Sequence, residues 1–192
     1  MFKTIASVVM NMTVVGAVSF AIASPSMDEQ AMLIEQAVER ANQQQPVAVT
    51  TENIDQFPQL FCLAQNVFFE AGIESTAGKA AVARVTINRT SSERFPDSVC
   101  DVVKQGHKHP NGSMKRYKCQ FSWYCDGKSD KVPANSQNWK DSVKVAVDVY
   151  AAGKYQGLVE GAMWYHAKYV SPSWKRSMNK VGTIDRHIFY TQ

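Results

Sequence analysis

The sequence predicts an α+β fold that is mainly α, with helices arranged around a polar, aromatic cleft. Three observations carry this expectation. Apolar residues recur at helical spacing from Leu60 and again from Trp139. A polar, aromatic middle at 107–137 keeps no sustained period, and the C-terminal stretch alternates aromatic and polar residues around Pro172 and Gly182. With 192 residues, 45% hydrophobic and 10% aromatic, the chain can bury a core in one ordinary domain with attachments, which excludes a disordered protein.

Residues 1–23 form an apolar run with Lys3 as the only charge, closing on Ala21-Ile22-Ala23. That pattern is a secretory signal peptide cut after Ala23, and the rival reading is an uncleaved membrane anchor. Asn11, Thr13, Gly16 and Ser19 dilute the run and favour the signal. Either way the remainder is expected to be exported. Residues 24–58 are acidic, with a net charge of −5. Within them, 27–42 place Leu33, Ile34, Ala37, Val38 and Ala41 on one helical stripe, read as a solvated spacer with a partner contact as the alternative. "QQQPVAVTTENIDQFP" breaks every pattern and reads as a linker.

The domain at 59–192 carries 19 Lys/Arg against 11 Asp/Glu, a net charge of +8, which suits an anionic partner such as a wall polymer. Solubility alone is the plainer explanation. Its first helix runs from Leu60 through Leu63, Ala64, Val67 and Ala71, with Gly72 as a C-cap and Glu70 on the flank beside Leu63 and Val67. An Ala-rich helix follows and ends near Asn88-Arg89, where small residues permit close packing. Ser98 caps a short helix with Gly106 past its end, and Gly153 should stop the helix around Trp139, Val143, Ala146, Val147 and Tyr150. Four cysteines in an exported chain imply disulfides. Cys119 and Cys125 flank a short loop and form the favoured pair, leaving Cys62 with Cys100.

The chemistry narrows by elimination. His107, His109, His166 and His187 have no second histidine–carboxylate element at zinc-ligand spacing, so no metal is expected. A thiol peptidase or amidase would need one free cysteine, against the even count. No G-x-S-x-G or phosphate loop is present. Glu70 remains: it follows Phe68 and Phe69 at a helix C-terminus, where apolar burial and the helix dipole both favour the protonated acid. Such an acid can protonate a leaving glycosidic oxygen. The alternative is a surface glutamate lying along an apolar face.

Several ordered blocks sharpen this. "LAQNVFFEAGIES", "GKAAVARVTINR", "RFPDSVCDVV", "CQFSWYCDG", "WYHAKYVSPSWKRSM" and "IDRHIFY" span about Leu60 to Tyr190. Together they resemble the cell-wall hydrolase family named for spore-germination cortex-lytic enzymes. The resemblance implies a lysozyme-like, transglycosylase-related fold acting on peptidoglycan glycan strands, with Glu70 of E-A-x-x-E as the catalytic acid. Ile73 replaces a frequent Gly, and "FFEA" stands where "YGEA" or "YHEA" is common, departures that leave both acids in place.

The expected reaction is cleavage between N-acetylmuramic acid and N-acetylglucosamine by lytic transglycosylation, which needs a single acid/base. A muramidase would need a second carboxylate, for which Glu74 is the nearest candidate, while a non-catalytic wall-binding module would keep the fold without turnover. Substrate contacts are expected from Glu74, Gln120, Ser122, Tyr165 and His166, with Glu74 as a helix-start residue in the plainer alternative. Phe121 or Trp123 would pack on a sugar or on the core, Trp164 on the core, and Trp174 on either. Asn88, His187 and Phe189 are read as structural. No cofactor and no nucleic-acid partner are expected. The chain should act as a monomer in the periplasm, cell envelope or extracellular space, without stable membrane insertion once the signal is cut.

Overall fold

The computed structural model describes residues 26–43 and 47–192. The expected signal peptide lies outside the described residues. The chain divides into two units between Val47 and Ala48. In the first, α1 (Met27–Gln43) starts where the Ser26 hydroxyl accepts the Glu29 backbone N–H, with Asp28 and Glu29 in the first turn, where the helix dipole favours acids. Leu33, Ile34 and Val38 of its apolar stripe are all exposed. No helix among the described residues is long and apolar enough to cross a membrane.

The second unit begins with residues read from sequence as linker. Ile54, in a single 3-10 turn (Ile54–Gln56), is 2% exposed and packs into the main core. Pro58 occupies the first turn of α2 (Pro58–Ala71), where its missing N–H costs nothing. Leu60, Leu63, Ala64, Val67 and Ala71 are buried along the expected face. Helix α3 (Thr76–Thr90) is buried nearly all round: Ala80 and Ala83 join the main core, whereas Ala81 and Val85 join a second cluster with Val159, Ala162 and Phe189. Its small side chains let neighbours approach from several sides, which is why it shows no single apolar stripe.

Helix α4 (Val99–Val103) is capped by Ser98 and closes at Lys104, with Gly106 past its end as expected. Gly106 also opens β1 (Gly106–Lys108), where a β-carbon would lie 2.9 Å from the Cys119 sulfur. Strand β2 (Met114–Cys119) completes an antiparallel hairpin, and Ser122–Cys125 turn as a 3-10 helix. Disulfides join Cys62 to Cys100 and Cys119 to Cys125, the favoured pairing. Helix α5 (Gln137–Tyr150) buries Trp139, Val143, Ala146 and Val149 against α2 and α3, and Gly153 takes φ +61° just beyond it.

The C-terminal strands β3 (Trp164–Ala167), β4 (Asn179–Ile184) and β5 (His187–Thr191) form an antiparallel sheet in the order β3-β5-β4. Tyr165 pairs with Phe189 and Ala167 with His187. Alternation therefore places Tyr165, His187 and Phe189 on one face, and His166 and Tyr190 on the other.

Candidate active site

Glu70 sits in the last turn of α2, and the packing around it starts with Asn66. Wholly buried, Asn66 donates to the Thr86 hydroxyl (3.1 Å) and accepts from the Trp123 indole N–H (3.0 Å). This network ties α2, α3 and the 122–125 turn together, and each buried polar atom in it has its partner. Trp123, so fixed, stacks on Phe69 at 4.6 Å between ring centroids. Phe68 meets Trp139 edge-on at 5.9 Å. Both phenylalanines also line a cavity together with Glu70.

The Glu70 carboxyl is partly buried, and Tyr165 Oη donates to its Oε2 at 2.9 Å. Burial pushes Glu70 above the ordinary carboxylate range. The Tyr165 hydrogen bond and the Arg89 charge oppose that shift, while Glu74 adds to it. Tyr165 is pushed well up by its own burial and the neighbouring carboxylate, so it stays a donor. Arg89 is 4% exposed, donates through Nε to the Met163 carbonyl at 2.8 Å and packs on the rings of Phe95 and Phe121.

Glu74 meets a different fate. Gly72 is the expected cap but keeps right-handed φ (−57°), so it does not use glycine's left-handed freedom. Space is the reason instead, since a β-carbon there would collide with the Phe68 carbonyl oxygen. Beyond it, His187 Nδ1 lies 3.2 Å from one Glu74 oxygen and 3.3 Å from the other, with both side chains under 10% exposed. Lys79 Nζ donates to the Glu74 carbonyl at 2.6 Å. The β4–β5 turn is locked to the same segment: the Asp185 carboxylate accepts from the Ser75 N–H (3.0 Å) and hydroxyl (2.6 Å). That hydroxyl lowers the Asp185 pKa. A β-carbon at Gly78 would collide with both the Asp185 and Glu74 carboxylates, so the first turn of α3 has room there only for a glycine.

Two adjoining cavities meet at Glu70. One, of about 320 Å³, reaches toward Glu74 and Asn138, and the other, of about 400 Å³, toward Gln120, Ser122 and Asp126. Phe69, Glu70, Ala167, Tyr169 and His187 line both. An elongated ligand can therefore lie across the carboxyl with a part on each side.

Of the residues expected at the site, Glu70, Tyr165, Gln120 and Ser122 gather in the second cavity, and Glu74 lines the first. Gln120 and Ser122 are exposed while Phe121 and Trp123 are buried, so the aromatic pair belongs to the core. His166 also lines the second cavity. Strand alternation turns its ring to the opposite face, where its nitrogens meet the Ala167 carbonyl (2.9 Å) and the Tyr190 hydroxyl (3.0 Å). Trp174 packs edge-on against His166 and Tyr190. Asn88 has a structural role, donating to the Ala162 carbonyl at 2.9 Å. His187, read from sequence as core support, instead faces both cavities. Arg89 and the 86%-exposed Tyr169 went unnoticed, because a helix-end arginine and a loop tyrosine look like ordinary surface residues in sequence. The thiol-dependent alternative falls, since all four cysteines are in disulfides.

Comparison with known proteins agrees with this architecture. The fold is similar to the catalytic domain of the germination-specific lytic transglycosylase SleB from Bacillus anthracis, with a TM-score of 0.50 at 22% identity over 69% of this chain and 93% of that one. The catalytic domain of the Bacillus cereus SleB protein aligns at a TM-score of 0.48 and 24% identity, over 69% and 89% of the two chains. The likeness shows the transglycosylase-related fold. No curated protein matches the chain. A family model described as Cell Wall Hydrolase matches residues 73–190, more than half of the sequence. The matched span starts three residues after Glu70 and takes in Glu74, Arg89, Gln120, Ser122, Tyr165 and His187, and on that match the chain belongs to the cell wall hydrolase family.

Proposed function

We propose that this enzyme cleaves peptidoglycan glycan strands between N-acetylmuramic acid and N-acetylglucosamine by lytic transglycosylation, with Glu70 as the only acid/base. One observation carries the reading. Glu70 lies in the lining common to both cavities, raised by burial, while the nearest other acid in sequence, Glu74, is already engaged by His187. The SleB likeness supports the same reaction class.

The strand lies across Glu70, one sugar in each cavity. Tyr165 occupies Oε2, which leaves Oε1 to carry the proton. The glycosidic C1–O bond breaks, its electron pair stays on the leaving oxygen, and that oxygen takes the Oε1 proton. Arg89 and the Tyr165 hydroxyl stabilise the new carboxylate, which faces the positive charge developing at C1. The carboxylate then removes the proton of the muramic 6-hydroxyl as its oxygen bonds to C1. A 1,6-anhydro end forms and Glu70 is again protonated. Gln120 and Ser122 hydrogen-bond N-acetyl and hydroxyl groups, and Tyr169 offers a ring to a pyranose face. The two disulfides fit an exported enzyme working in an oxidising compartment.

A hydrolytic reading has one observation in its favour: Asp126 shares the second cavity with Glu70. Mass spectrometry of fragments released from purified sacculi separates the two. Anhydromuramic ends that vanish in Glu70→Gln are expected. Reducing ends that vanish in Asp126→Asn would make the enzyme a muramidase, and free stem peptides on intact glycan would overturn both readings.

A further inference from the structure

Between Asp101 and Asp126 the chain carries five Lys or Arg and no Asp or Glu. The fold gathers four of these charges on the β1–β2 hairpin beside the cleft, with Lys104 just before it at the end of α4. Lys104, Lys108, Lys115 and Lys118 are exposed, and none of the four makes an ion pair among the described residues. Arg116 anchors the hairpin, donating through Nε to the Asp126 carbonyl at 3.0 Å. The Gln120 N–H donates to the Gln105 carbonyl at 2.9 Å, and the Cys119–Cys125 disulfide fixes the same junction.

A track of hollows leads from this hairpin to Glu70. One hollow, of about 550 Å³, has Lys104 and Lys108 in its lining and shares Gln105 and Gly106 with a second, of about 440 Å³, lined in part by Lys118. The second shares Gln120 with the Glu70 cavity. Asp101, in the first hollow, is held by the Ser98 hydroxyl at 2.6 Å.

We propose that the β1–β2 hairpin is a docking surface for the carboxylates of the peptide stems that branch from the glycan strand. The inference rests on the peptidoglycan reading above. A strand seated across Glu70 carries short peptides projecting from its muramic sugars, and a stem leaving past Gln120 enters the lysine-lined hollows. Separate single lysines, unlike a tight cluster around one point, suit carboxylates spread along a flexible peptide. Each exposed contact is weak, so recognition is the sum of several. The surface would make the enzyme prefer strands whose stems are intact and ionised.

The test compares solubilised stem-bearing strands with the same strands after their carboxylates are amidated. The full chain and a Lys104→Gln/Lys108→Gln/Lys118→Gln variant are assayed on both. Wild type is expected to show about tenfold lower kcat/KM on amidated strands, as the sum of several weak ion pairs. The triple variant should cleave both substrates at the wild-type rate for amidated strands, which also establishes that it folds. Equal wild-type rates on the two substrates would overturn the inference while leaving the proposed function intact, and so would a variant that keeps the preference. Inhibition by polyphosphate without any effect of amidation would assign the patch to phosphate polymers instead and overturn it. A wild type that cleaves neither substrate would instead count against the glycan-cleavage reading itself.

Discussion

Glu70 and Glu74 are four residues apart, both near the end of α2, and both bordering the same cavity. Their surroundings differ in one decisive respect. Glu70 is still on the helix, next to a phenylalanine stacked on Trp123, and its direct partner is a neutral phenol. Glu74 lies past Gly72, in a turn braced by Lys79 and Asp185, with an imidazole against its carboxylate. A phenol leaves an acid free to gain and lose a proton. An imidazole and a clamped backbone turn it into a strut. The helix break at Gly72 separates the two outcomes, by sending the second acid toward the sheet rather than along the helix face.

The sharpest way to break this comparison is to remove each carboxylate in turn. Glu70→Gln should lose about 10³-fold or more in the rate of glycan release, within the usual range for a sole acid/base, while keeping its fold by circular dichroism. Glu74→Gln should behave differently. It loses one hydrogen bond to a buried side chain, with about 2 kcal/mol of stability in denaturant titration. Its activity should fall about tenfold through displacement of His187 and the cleft lining, with anhydro ends unchanged. Equal losses for the two variants would end the distinction and restore Glu74 as a second catalytic carboxylate.

The sequence makes this contrast only half legible. Period and caps locate α2, α4 and α5, an Ala-rich run locates α3, and the loop between Cys119 and Cys125 points to that disulfide, because these features depend on neighbours in the chain. Glu70 stands out for the same reason, since the apolar residues that raise it adjoin it in sequence. Its other partners come from far away: Tyr165 lies 95 residues on, and His187 is 113 from Glu74. Strand alternation is readable, but which face meets α2 is not, so Tyr165 and His166 look equivalent although their rings oppose. Arg89 is further hidden, since its burial depends on Met163, Phe95 and Phe121 converging. What stays unread is the long-range pairing that tells one polar residue from the next.

Subtler variants sharpen the comparison through pH. Tyr165 and Glu74 push Glu70 in opposite directions, the phenol lowering its pKa and the second carboxylate raising it. The reaction needs protonated Glu70 at its first step, so activity falls as pH rises through the Glu70 pKa. Tyr165→Phe removes a lowering contact and should move the alkaline limb of the kcat/KM profile upward, at a few-fold cost in rate near neutrality. Glu74→Gln removes a raising charge and should move the same limb downward. Limbs moving in the same direction would mean that Glu70 feels burial and little else.

The smallest expected effect is on stability, and it concerns Glu70 alone. Its pKa is raised in the fold, so the folded state holds this proton more tightly than the unfolded chain does. The proton's contribution to stability is complete below the unfolded-state carboxylate pKa. It is lost as pH rises through the raised, folded-state pKa, where a charge must be kept in a partly apolar site. Glutamine cannot ionise there. Thermal melts of wild type and Glu70→Gln should therefore nearly coincide at acid pH and separate as pH climbs, with the inactive variant the more stable at neutral pH. The same substitution should leave the Glu74 contact with His187 in place, so the gain is specific to the acid poised for chemistry. A variant less stable than wild type at every pH would mean that Glu70, like Glu74, is held mainly as a strut, and the functional contrast between the two acids would collapse.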